Sequence, residues 1–119
     1  MAQTRPAGHG GDDPRTLAVL HLGIAQLEQQ QTPEHYLDLS LQKYNEGNYE
    51  ESIAAAQRAL QRRPDYAEAW NNLCAANNKL GRYQEAAKVC EQALRIKPDF
   101  DLARNNLQYA RERSTTKEK

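Results

Sequence analysis

The residues of this 119-residue chain whose types could hold a metal or drive a reaction are three histidines, two cysteines and an early pair of aspartates. His9, His21 and His35 are scattered, and no His, Cys or carboxylate spacing would set three or four ligands around one point. No metal is expected. Asp12-Asp13, between Gly-Gly and Pro14, reads as the start of a helix rather than an acid pair. Cys74 and Cys90 fall at small-residue core positions of a helical hairpin, and a nucleophilic thiol needs an electropositive, partly open setting instead. Buried, inert free thiols are expected, and with them a reducing, cytoplasmic compartment. A Ser-His-Asp or Cys-His set meets only in space, and nothing in the sequence favours one. There is no glycine-rich phosphate loop of Walker or Rossmann form. The residues therefore point away from an enzyme: no catalytic group and no cofactor site is expected.

Charge narrows the partners. Lys plus Arg and Asp plus Glu number 16 each, so nothing draws the whole molecule to nucleic acid or to an anionic membrane. Arg58, Arg62, Arg63, Arg95 and Lys97 fall mainly on second helices among Gln and Glu, as a solvated face does. The apolar run from Leu17 to Leu27 is too short to span a bilayer and is broken by His21 and Gly23. It also lacks the flanking charge and cleavage site of a signal peptide, so no membrane insertion is expected.

The elements that must position any site emerge from self-similarity. A shift of 34 residues carries Leu39 to Leu73, Gly47 to Gly81, Tyr49 to Tyr83, Ala59 to Ala93, Leu60 to Leu94 and Pro64 to Pro98. The same shift takes Asn71, Asn72 and Leu73 to Asn105, Asn106 and Leu107, where a third unit begins and does not finish. Each unit reads as two helices around a tight turn. Gly47 and Gly81 are placed as left-handed caps, acidic residues open the second helices, basic ones close them, and Pro64 and Pro98 stop them. Small residues at Ser40, Ser52 and Ala59, and at Cys74, Ala86 and Ala93, allow close approach of paired helices, while Tyr36, Leu39, Trp70 and Leu73 fill the space between pairs.

With Trp70, Leu73, Gly81, Tyr83, Ala86, Ala93 and Pro98, the stretch 67–100 resembles a tetratricopeptide repeat over its full length; 33–66 resembles one through Tyr36, Leu39, Gly47, Tyr49, Ala59 and Pro64. The departures are Ser52 where the family prefers Ala, Ser40 and Cys74 where it prefers Gly or Ala, and Ala56 and Cys90 where a larger apolar residue is common. The resemblance implies an all-α, right-handed stack of antiparallel helical hairpins, an α-solenoid. The expected layout is a disordered tail over 1–12, a leading amphipathic helix over 13–31, repeat 1 over 33–66, repeat 2 over 67–100, a capping helix over 101–113 and a disordered tail over 114–119. Arg104, Gln108 and Arg111 replace Trp70, Cys74 and Asn77 on the last helix, so its outer side is expected to face water. The leading helix, with Leu17, Leu20, Ile24 and Leu27 on one stripe, is expected to cover the first unit in a monomer; a dimer through it is the alternative.

The resemblance also implies a groove along the first helices that binds a peptide or protein segment. Its expected lining is Leu37, Leu41, Tyr44, Asn71, Asn72, Ala75, Asn78, Lys79, Asn105, Asn106 and Tyr109, with Asn72 and Asn106 as an amide ladder for a peptide backbone and the leucines with Tyr44 as an apolar pocket. Capture of a chain-terminal carboxylate, as in chaperone-binding members, is disfavoured, because Leu37, Leu41 and Leu102 stand where the clamp needs polar or cationic groups. Two other roles stay open: a regulatory or scaffolding appendage of a larger enzyme, such as a membrane protein or glycosyltransferase, and self-association.

Overall fold

Thr32 starts the first helix: its hydroxyl accepts from the His35 backbone N–H at 3.1 Å, and Pro33 occupies the first turn. In the computed structural model, which describes residues 31–118, five helices follow: α1 Pro33–Asn45, α2 Tyr49–Arg62, α3 Ala67–Lys79, α4 Tyr83–Ile96 and α5 Asp101–Glu118. The expected leading helix and N-terminal tail lie outside the described residues. Gly47 and Gly81 turn α1 into α2 and α3 into α4 with φ of 83° and 77°, the left-handed values a side chain would resist.

The hairpins α1–α2 and α3–α4 stack through α2 on α3, and α5 closes the stack against α4 and α3. The first helices α1, α3 and α5 adjoin one another along one side, whereas α2 and α4 scarcely touch. The small residues of the repeat are the fully buried ones: Ser40, Ser52, Ala56, Ala59, Cys74, Ala86, Cys90 and Ala93. Helix axes can approach only where no bulk intervenes, and these positions supply that contact. One core cluster joins Ala56, Leu73, Cys74, Ala86, Val89, Cys90, Leu107 and Ala110, with Trp70, Ile53 and Leu94 packed on it; a second joins Tyr36, Ala59 and Ala69.

Polar contacts repeat with the same period. Arg63 pairs with Glu34 and stacks over Tyr66; one unit later Lys97 pairs with Glu68 at 3.5 Å and stacks over Phe100. The Arg63 hydrogen bond holds the Glu34 carboxyl below the usual carboxylate range. The Trp70 indole donates to the Pro64 carbonyl at 2.8 Å, and Arg104, one unit on, donates to the Pro98 carbonyl at 2.7 Å. Arg104, Gln108 and Arg111 are all exposed, so the outer side of α5 faces water.

Two expectations are corrected. Cys74 and Cys90 are not free thiols: a disulfide joins them across the α3–α4 contact, with Cα atoms 5.4 Å apart, and no free cysteine exists. The inference of a reducing compartment had rested on free thiols and loses that support. The last helix does not end at Arg113 but continues to Glu118, since no Gly or Pro follows Pro98 to stop it.

Candidate functional site

Each of the three first helices sends residues to one cavity of about 200 Å³, lined by Tyr44 of α1, Ala75, Asn78 and Lys79 of α3, and Asn106 and Tyr109 of α5. Helical spacing accounts for the convergence. Leu37, Leu41 and Tyr44 lie on one face of α1, Asn71, Ala75 and Asn78 on one face of α3, and the hairpin stacking lays these faces side by side. All six lining residues belong to the face anticipated from the sequence.

The other anticipated residues do different work. Asn71 is buried and accepts at Oδ1 from the Asn106 side-chain amide at 2.9 Å. Asn78 donates from Nδ2 to the Asn106 backbone carbonyl at 3.1 Å. Asn71, Asn78 and Asn106 thus pin α5 to α3, and the Asn106 N–H expected to hold a ligand is partly spent inside the protein. Asn72 is half-buried, Asn105 is exposed, and neither lines the cavity. Leu41 is exposed, while Leu37 packs partly against the second core cluster.

One buried polar atom beside the cavity is left without a partner. Asn78 is buried, yet its Oδ1 has no hydrogen-bond partner. A buried amide oxygen left in this state costs about 1–3 kcal/mol. The sequence reading missed this asymmetry, because which end of an amide is engaged depends on contacts between helices that are far apart in the chain. A larger hollow of about 600 Å³ lies on the other side of α3, between α2 and α4, over Trp70, Leu73 and Val89. Its floor is the flank of the core, its polar end includes Arg82, already paired with Glu50, and it draws on no residue of α1 or α5. Among the described residues no group of three His, Cys, Asp or Glu could hold a metal ion, and no helix is long and apolar enough to cross a membrane.

The hairpin repeat and its single face of first helices define a helical-repeat protein. A family model for the tetratricopeptide repeat matches residues 37–100, more than half of the chain, and the chain belongs to that family, whose repeats mediate protein–protein interactions. Among solved structures, the crystal structure of MamA is similar, with a TM-score of 0.58 at 23% sequence identity. The match covers 75% of this chain and 62% of that one, and at such identity the likeness is one of fold. No curated protein matches the sequence.

Proposed function

We propose that the protein is a non-catalytic binding module that holds an extended segment of a partner protein along α1, α3 and α5. The observation that carries this reading is the cavity that all three first helices share, lined by Tyr44, Ala75, Asn78, Lys79, Asn106 and Tyr109. Tyr44 and Tyr109 flank the cavity and supply rigid, amphipathic contact area at small entropic cost. Leu41, exposed one turn before Tyr44, extends an apolar strip beyond it.

The reading is tested by selecting displayed random dodecamers on the full chain and measuring the selected peptides in solution. Tyr44→Ala with Tyr109→Ala is expected to weaken them at least about tenfold, roughly 1.4 kcal/mol, with little change in thermal midpoint because neither ring belongs to the core clusters. Selected peptides that bind the double variant as well as they bind the wild type would refute the groove.

A further inference from the structure

We infer that the cavity between Tyr44, Lys79 and Tyr109 receives the carboxylate of an acidic side chain, so that the segment bound there is an acidic peptide; this rests on the groove being a peptide site. Charge distribution points to it. The chain as a whole is neutral, yet the cavity wall contains one cation, Lys79, and no anion. Four other basic residues near hairpin ends are paired, Lys43 with Glu46 and Glu51, Arg63 with Glu34, Arg82 with Glu50 and Lys97 with Glu68. Arg62 and Arg95 on the second helices have no ion pair among the described residues and lie away from this cavity. Lys79, exposed at the end of α3, has no ion pair among the described residues. On Tyr109, which also lines the cavity, the Arg113 guanidinium lies over the ring at 3.4 Å and adds a second positive charge nearby. The hydroxyls of Tyr44 and Tyr109 have no hydrogen-bond partner among the described residues and can donate to an anion.

The ammonium of Lys79 and the phenols of Tyr44 and Tyr109 are the donors that would take the acid. A side-chain carboxylate fits better than a chain terminus, because Leu37 and Leu41 carry the face onward along α1, where a continuing segment finds apolar surface and no cation.

The selection that tests the groove also tests this, provided that the dodecamers are fused through their C-termini and present no free terminal carboxylate. On the wild type one position should be enriched in Asp or Glu, and changing that residue to its amide should weaken the best peptide about tenfold in Kd. On Lys79→Glu, which alters an exposed side chain and should leave helicity unchanged by circular dichroism, the same position should switch to Lys or Arg. Peptides without an acidic position, or an acidic preference that survives Lys79→Glu, would overturn the inference while their sensitivity to Tyr44→Ala kept the groove. Failure to select any peptide, or binding indifferent to Tyr44 and Tyr109, would remove the groove and the inference together.

Discussion

Ser40 and Cys74 occupy the same place one repeat apart, and each ties its first helix to the second helix of its own hairpin. The Ser40 hydroxyl donates to the Ser52 carbonyl at 2.9 Å and the Ser52 hydroxyl returns the bond to the Ser40 carbonyl at 2.8 Å, with both residues fully buried. In the second hairpin Cys74 is tied instead to Cys90, one turn beyond Ala86, the counterpart of Ser52. Buried hydroxyls are tolerated here because both are satisfied. The two hairpins thus respond to different conditions, one to loss of a hydrogen bond and the other to reduction.

The disulfide closes a loop between positions separated by 16 residues, which on chain-entropy grounds stabilises the fold by about 3 kcal/mol. The intact mass of the unreduced protein should be two hydrogens lower than that of the reduced one. A reductant strong enough to reach the buried bond, or Cys74→Ala with Cys90→Ala, should lower the urea midpoint accordingly. An unchanged midpoint would show that the two thiols merely sit together.

Trp70 packs on the main core cluster and holds the Pro64 carbonyl across the boundary between the hairpins. Trp70→Ala should cost about 3–5 kcal/mol, enough to unfold so short an array. Trp70→Phe, which keeps most of the packing and loses the N–H, should cost far less, with the hydrogen bond itself worth about 1 kcal/mol. A Trp70→Ala variant of wild-type helicity and midpoint would contradict the stacking.

At Gly47 an added Cβ would meet nothing within 4 Å, so only the backbone angle resists a side chain. Gly47→Ala is expected to cost about 1–2 kcal/mol by equilibrium unfolding, and Gly47→Asn less, since asparagine tolerates the left-handed region. Equal losses for both would mean that the turn is held by something other than φ.

The Glu34 carboxyl is held low by the hydrogen bond from Arg63, and that of Glu46 by the hydrogen bond from Gln42. A folded-state pKa below the unfolded one gives stability that is present at neutral pH and lost as the pH falls below the ordinary value of 4.5. Both groups are exposed, so the effect should be small and weaker in salt. Glu34→Gln with Glu46→Gln should flatten the decline of the thermal midpoint between about pH 5 and pH 3. Parallel profiles for variant and wild type would show that these pairs contribute nothing.

The period, the glycine turns and the small-residue contacts were legible because each is local or repeats within the chain. Even the solvated face of α5 could be read by aligning Arg104 with Trp70, although not that Arg104 would retain the tryptophan's bond to a proline carbonyl. The disulfide was misread from cysteine number, while a geometric signal was present: Cys74 and Cys90 stand at nearly equal distances on either side of the Gly81–Arg82 turn, as facing residues of a helical hairpin must. The residues that share the cavity between the first helices were readable from helical spacing, but which of their polar groups are paired was not. Asn71, Asn72, Asn78 and Asn106 are the same residue type, and only packing of α5 on α3 decides which amides are spent internally and which buried oxygen is left without a partner.

The three first helices set the length of segment that the proposed groove would read. Neighbouring helix axes lie about 8–10 Å apart, so α1 to α5 spans roughly 20 Å, and an extended chain advances about 3.3 Å per residue. On the proposed groove, about six residues of a bound segment would lie against these three helices before it passes Arg104 and its solvated neighbours. A footprint of that length gives fast exchange and modest grip. High avidity would then have to come from several such motifs strung along one partner, each engaging a separate copy of the repeat.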